Sequence, residues 1–404
     1  MIVNADSQSL RRPSTLPALH PLSSGARVDV CIVGAGLAGM IAAYLLARGG
    51  RRVMVLDEGP IGGLQGGFEA AHLASVVERP YAAIEAHQGR SAARVAAQAS
   101  AAAIDALEAI ALRERIACEF ERVDGYLIAG PRVPAASIER EFEAARRAGV
   151  AGVELLDAPP IEGARWGPCV RYPGQAHFHP ARFLAGLVRA IQRDGGRVHC
   201  GVRCKSIEAG KPALVVTGGG HRIEADTVVG SRPLTRDGGF LAAAAPRMAH
   251  MLGLRIPRGS VPHALYWESA EPARWMRLRS QGTGAGEVLL VAAEDPPGDD
   301  DHTAYRYLAL EEWARDRFPS AGEIVQRFTG QIVQAADVFA LATRGECDSE
   351  SVYVATSDWG TALTRGTIAG LVIKDFVDGA QALPWSDLYV PEACYVPREA
   401  TPAL

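Results

Sequence analysis

Residues 28–57 read VDVCIVGAGLAGMIAAYLLARGGRRVMVLD. Residues 28–33 form a short apolar, β-branched run of the kind a strand buried on both faces requires. The turn GAGLAG follows at once at 34–39, a helical stretch runs on through Leu46 and stops at Gly49 and Gly50, and VMVLD at 53–57 is a second strand. Strand, glycine turn, helix and strand make a βαβ unit. In such a turn Gly34 permits the tight bend, Gly36 lets the backbone approach a pyrophosphate, and Gly39 lets helix and strand pack closely. The helix N-terminus, with Leu37 and Ala38 in its first turn, attracts the phosphates. Asp57 stands 18 residues beyond Gly39, at the end of the second strand, where the ribose hydroxyls of a dinucleotide lie. A turn that holds nothing would need neither that acid nor its spacing. Position and composition alone do not separate NAD from FAD.

Outward from this unit, residues 1–25 read as a loose N-terminal arm. No apolar segment follows Arg11 and Arg12, so a cleaved signal peptide is not expected. The Ala-rich stretch from Tyr81 to Arg115 lacks proline and predicts one or two helices broken near Gly89. FERVDGYLIA at 120–129 reads as a hairpin turning at Asp124 and Gly125. A helix is expected from Pro180 to Arg193, closed by Asp194, Gly195 and Gly196, with RVHCGVRC as the strand after it. From about Leu252 to Gln331 the pattern changes to strands with one helix, LALEEWARDRF, suggesting an antiparallel sheet. SVYVATS then reads as a strand, DWGTALTRG as a turn and TIAGLVIKDFV as a helix.

The expected fold class is α/β with α+β: a Rossmann-type dinucleotide-binding domain interleaved with a mixed antiparallel-sheet substrate domain. The first is assigned to 26–80, 180–240 and 335–380, the second to 81–179 and 241–334, and 381–404 form a C-terminal tail. With 404 residues and 48% hydrophobic content the chain has ample material for a large core, which excludes bulk disorder. A net charge of −4 gives no global field to draw in nucleic acid or an anionic membrane. A small-molecule partner and a cytoplasmic location are expected. Seven cysteines show no CxxC pair and no Cys/His cluster at zinc spacing, so no metal is expected from the sequence.

The opening βαβ unit together with SVYVATSDWGTALTRGTIAGLVIKDF resembles the D-amino-acid-oxidase-like superfamily of FAD-dependent oxidoreductases. ERPYAAIEAHQGRSAARVAAQASAAAIDALEAIALRER, YPGQAHFHPARFLAGLVRAI, ALYWESAEP and LEEWARDRFPSAGE narrow the likeness to the branch that usually carries a C-terminal Rieske domain. The resemblance runs over about residues 25–392. No CxH followed by CxxH occurs, and the chain stops where that domain would start, so the iron-sulfur partner is expected to be absent. Electrons from a reduced flavin would then go to dioxygen, to a diffusible acceptor, or back to substrate.

What the resemblance implies is a noncovalent FAD, its pyrophosphate on Gly34, Gly36, Leu37, Ala38 and Gly39, its adenosine ribose on Asp57 with Glu58 as alternate acid. Gly67 lies in the loop beside the flavin. Cys204 matches a backbone contact to adenine, and Gly230 and Ser231 match the small residues where the next strand passes the pyrophosphate. Gly360, Thr361, Ala362 and Leu363 present backbone N–H groups to the flavin pyrimidine, where they stabilise charge at its N1/O2 end. The loop GGFEAAHL departs from a GRTTAHL-like pattern: Phe68, Glu69 and Ala70 replace Arg and two Thr, while His72 is retained.

Substrate candidates follow from chemistry. Cations hold carboxylates through charge-assisted hydrogen bonds, which points to Arg365 beside Thr364, and to Arg277 and Arg279, alternating with Met276 and Leu278 on one probable strand face. For the last two a solvated strand face is the equal alternative. Tyr266, Trp267, His177 and His179 either line a pocket or pack in a core. The expected activity is oxidation of a C–N bond of an amine or amino-acid-like molecule by hydride transfer to flavin N5. The alternatives are a flavoenzyme of specialised metabolism catalysing dehydrogenation or oxidative cyclisation, and a flavin-binding protein that has lost its chemistry.

Overall fold

The computed structural model describes residues 17, 19–62, 72–76, 80–162, 166–230, 247–269, 273–280, 286–294, 303–332, 342–344, 351–355, 363–379 and 383–389. The opening unit is β1 (Ala26–Val33), α1 (Leu37–Arg48) and β2 (Val53–Asp57), followed by the two-residue β3 (His72–Leu73). Next come α2 (Tyr81–Arg113), β4 (Glu121–Ala129), α3 (Ala135–Ala148), β5 (Glu154–Leu156), β6 (Cys169–His177) and α4 (Pro180–Arg193). Four strands follow: β7 (Arg197–Cys200), β8 (Cys204–Glu208), β9 (Ala213–Thr217) and β10 (Arg222–Gly230). The next group is β11 (Arg247–Ile256), β12 (Ala264–Ser269), β13 (Arg274–Ser280), β14 (Glu287–Glu294), α5 (Thr303–Arg317) and β15 (Ile324–Ile332). The last elements are β16 (Ala342–Arg344), β17 (Val352–Ala355) and α6 (Leu363–Asp378), then a 3-10 turn at Ser386–Tyr389.

These elements build two sheets. The first has the order β16-β17-β10-β1-β2-β7, with the β8–β9 ribbon attached to β10. Its central strands are parallel, and β1 and β2 are apolar on both faces because α1, α4 and α6 cover one side and a second apolar cluster fills the other. The second sheet runs β15-β11-β14-β13-β12-β4-β6-β3, antiparallel except where β12 lies parallel to β4. The doubly wound unit beside a mixed sheet is the expected fold.

α1 and α6 pack unusually closely. A Cβ on Gly370 would stand 2.8 Å from Ile41 Cβ and 2.9 Å from the Ala38 carbonyl oxygen. Only a residue without a side chain lets the two helices meet there.

Three readings are corrected. Residues 120–129 are not a hairpin: β4 is one strand, and Asp124-Gly125 lies inside it at a bulge against β6. Gly125 is small because the Trp267 ring lies over it; a Cβ there would fall 2.6 Å from that ring. Local turn chemistry yields to packing across the sheet. The strand expected over 197–204 is two strands, β7 and β8, in different pairings. The turn expected at 358–366 ends earlier than read, since Leu363, Thr364 and Arg365 form the first turn of α6. By contrast α2 breaks at Gly89 (φ 87°, ψ 169°) as its sequence predicts, and α4 has the expected limits.

Among the described residues α2 alone is long and apolar enough to cross a membrane. Its Ala92, Ala93, Ala96, Ala97, Ala103 and Leu107 are instead buried against the two sheets and their helices.

Candidate active site

The glycine turn is shaped for a phosphate-bearing ligand. Gly34 has φ 119°, a conformation that side chains other than glycine rarely adopt, and its N–H donates to the Leu56 carbonyl at 2.7 Å. Gly36, the N-cap of α1, has φ −72°, which any residue can adopt, and a Cβ there would meet no protein atom within 4 Å. Neither backbone conformation nor packing among the described residues therefore requires a glycine at 36. The first turn of α1 has no acidic residue and no side-chain cap, so Leu37, Ala38 and Gly39 offer the positive end of the helix dipole to an anion.

Asp57 locks the turn to β2. One carboxylate oxygen accepts the Ala35 N–H at 2.6 Å and the other the Gly59 N–H at 2.7 Å. Glu58, half exposed, lies 3.9 Å from Arg203. Gly230 ends β10 directly across from Val33, beside the glycine turn. Cys204 opens β8 with its side chain in the core; burial pushes its thiol up to about 11, so it is a packed thiol at neutral pH. Gly67, Ser231, Gly360, Thr361 and Ala362, with Phe68, Glu69 and Ala70, lie outside the described residues. Leu363 is buried as the first residue of α6.

The second sheet carries Tyr266, Trp267, Arg277, Arg279 and His177. Its two faces divide the substrate candidates. Tyr266 points to the α5 side, fully buried, stacked on Tyr126 at 5.4 Å, with its hydroxyl donating to the Pro262 carbonyl at 2.9 Å. It is a core residue. Trp267 and Leu265 point the other way, and Arg277 stands directly across from Leu265 on that same face. His72 and His177 are also cross-strand partners, and the His72 ring meets Trp267 edge-on at 5.4 Å.

His72 is 7% exposed and its Nε2 has no hydrogen-bond partner among the described residues. Burial, then the charge of Arg277, hold its pKa well below the ordinary histidine range. The same two causes bring His177 down to about 4. Both rings are therefore neutral at physiological pH, and the guanidinium of Arg277 is the charge that reaches them. Arg279 is half-buried two residues along the same strand.

Other candidates are placed elsewhere. His179 caps α4, its Nδ1 accepting the Arg182 N–H at 3.4 Å. Thr364 is bonded to the backbone of Ala74, next to β3. Arg365, 5% exposed, lies on the helix face of Ile368, Ala369 and Val372 and near enough to Tyr389 to act on its hydroxyl. Gln175, which sequence reading missed, is buried and its Oε1 accepts the Ser75 N–H at 2.5 Å. The signal was its two-residue spacing from His177 on one strand face.

The family model described as FAD dependent oxidoreductase (DAO) matches residues 29–375. The chain is 23% identical over 381 residues to the Bacillus subtilis (strain 168) protein named "Putative Rieske 2Fe-2S iron-sulfur protein YhfW", covering 93% of this chain and 73% of that one. It is 30% identical over 206 residues to gamma-glutamylputrescine oxidoreductase of Escherichia coli (strain K12), half of this chain and 48% of that protein. Among solved structures, glycine oxidase from Geobacillus kaustophilus superposes with a TM-score of 0.74 at 18% identity, over 91% of this chain and 100% of that one.

Proposed function

The chain belongs to the DAO family of FAD-dependent oxidoreductases, and from that premise we propose that it oxidises a C–N bond of a small amine or amino-acid-like molecule bearing an anionic group. The observation that carries this reading is Arg277, set on the same sheet face as Trp267 with the neutral His72 and His177 near it. Two of the similar proteins above are named for glycine and for a glutamylated amine, which supports the same substrate class.

The glycine turn fits FAD. Gly34, Gly36, Leu37, Ala38 and Gly39 would hold its pyrophosphate, Asp57 its ribose, and the N-terminus of α6 with Leu363 the pyrimidine end of its ring. The proposed binding is noncovalent. Bound FAD would supply the two-electron acceptor for this oxidation, with dioxygen or a diffusible acceptor reoxidising it. The protein's own part is positioning. Arg277 holds the anionic group by charge-assisted hydrogen bonds in a site shielded from water. The neutral imidazole of His72 accepts an N–H from the substrate nitrogen and so helps orient the α C–H. Trp267 packs the substrate and excludes water.

The test is anaerobic mixing of the purified holoprotein with a panel of carboxylated amines, amines lacking the carboxylate, and 2-hydroxy acids. Bleaching of the flavin band by carboxylated amines is expected. Bleaching by hydroxy acids alone would replace the C–N assignment, and bleaching equally by amines without a carboxylate would remove Arg277 as the anchor.

A further inference from the structure

Three ligating side chains from separate segments converge on the sheet face that carries Arg277. Glu121 opens β4, His177 closes β6 directly across from it, and His263 immediately precedes β12. One ligand atom of each lies within 4.8 Å of the other two. His177 Nε2 and Glu121 Oε2 are 3.3 Å apart, close to the ligand-to-ligand edge of a tetrahedral ion with bonds of about 2.0–2.2 Å.

The surroundings suit a metal as well. His263 Nε2 is 2.8 Å from Glu287 Oε1, and Glu287 is itself buried and accepts the Gly259 N–H at 3.0 Å. A carboxylate at that distance accepts from the ring N–H. With Nε2 facing Glu287, Nδ1 is the His263 nitrogen left to ligate. A carboxylate fixing the tautomer of an imidazole in this way is the usual support of a metal-bound histidine. Arg277 disfavours a cation here, and Glu121 and Glu287 supply the opposing negative charge.

We propose that Glu121, His177 and His263 form a site for one divalent ion of the zinc class, with Glu287 orienting His263 and a coordination position left for water or an anion. Such an ion would tie the start of β4 and the approach to β12 to the end of β6. The site is separate from the flavin cradle and its existence does not depend on the substrate assigned above. Sequence spacing gave no sign of it, because the three ligands come from three segments and not from one motif.

The full-length, flavin-loaded protein, stripped with a chelator, is titrated with zinc chloride and, in parallel, cobalt chloride. One equivalent of zinc should bind, and the cobalt form should absorb at wavelengths beyond the flavin band, as four-coordinate cobalt does. Glu121→Gln and His263→Gln should each weaken zinc binding by roughly tenfold or more, with flavin content and circular dichroism unchanged. Should His263→Gln lose flavin, the exposed Glu121→Gln decides the matter alone. Absence of stoichiometric zinc binding by the folded wild type, or unaltered binding in folded Glu121→Gln, overturns the proposal.

Discussion

The Thr364 hydroxyl is bonded in both directions to one backbone residue: it accepts the Ala74 N–H at 3.0 Å and donates to the Ala74 carbonyl at 2.8 Å. The two residues are 290 positions apart, and the bond pins the first turn of α6 to the segment that carries His72. Thr364→Val keeps the shape and leaves a buried N–H and C=O unsatisfied, at a cost of about 1–3 kcal/mol for each. The expected outcome is a lower melting temperature and easier loss of FAD on dilution, with Thr364→Ser close to wild type. A stable, flavin-retaining Thr364→Val would show that the pin is dispensable.

Gly36 and Asp57 should separate ligand binding from folding. Because a Cβ at 36 would meet no described atom within 4 Å, Gly36→Val should leave the melting temperature of the flavin-free protein nearly unchanged and abolish FAD binding. Asp57→Ala removes the acceptor for the Ala35 and Gly59 N–H groups, so it should destabilise the flavin-free protein by about 1–3 kcal/mol as well as weaken FAD by roughly tenfold to a hundredfold. Equal behaviour of the two variants in thermal melts would contradict these roles.

Arg277 and Arg365 should give opposite signatures. Arg277→Ala should raise the half-saturating concentration of an anionic substrate by roughly tenfold to 150-fold, with flavin content unchanged. Arg277→Lys should recover part of that loss, since an ammonium cannot pair bidentately. Arg365→Ala should lower thermal stability and flavin retention, as expected of a buried cation packed beside Tyr389. A steady-state titration and a flavin-release melt on both variants make the distinction; exchange of the two signatures would move the anchor to α6.

Acid sensitivity follows from the two buried histidines. Both have folded pKa values below the unfolded value of about 6.5, His177 at about 4 and His72 in the same direction. Between these limits the unfolded chain binds more protons than the folded one, so stability is complete above pH 6.5 and falls as pH drops toward 4. Each site contributes a slope of up to about 1.4 kcal/mol per pH unit in that window. Denaturant melts of His177→Gln should be flatter than wild type between pH 6.5 and 4, and an unchanged slope would show that His177 is solvated.

Much of the nucleotide half was legible because its signals are local. A β-branched run, a glycine turn at fixed spacing and an acid at the end of the next strand need no distant partner to be read, and the Gly89 break and the Pro180 start of α4 are likewise local backbone effects. The errors arose where distant residues decide. Asp124-Gly125 has the chemistry of a turn, and the Trp267 ring from another strand makes it part of one strand. β3 is two residues long and exists only through pairing with β6, so no periodicity could announce it. The candidate substrate face was half legible. Alternation placed Arg277 and Arg279 on a strand face, but whether that face meets solvent or the interior depends on the sheet order, which puts β13 between β12 and β14.

The parallel pair β4–β12 joins Gly125 to Leu265, and β1 finds its second neighbour only when Ala26 meets Ile223. Vectorial synthesis therefore delivers a chain with unpaired apolar strand edges for most of its time on the ribosome. β4 and β6 can pair early, but the strand that flanks them does not exist until residue 269 has emerged. High contact order of this kind makes for slow folding and a long period of exposure. Nascent chains halted between residues 231 and 263 should be cut by low concentrations of protease within β4 and β6, whereas released full-length protein resists. The second sheet is thus the part of the molecule for which a cell's chaperones have the most to do.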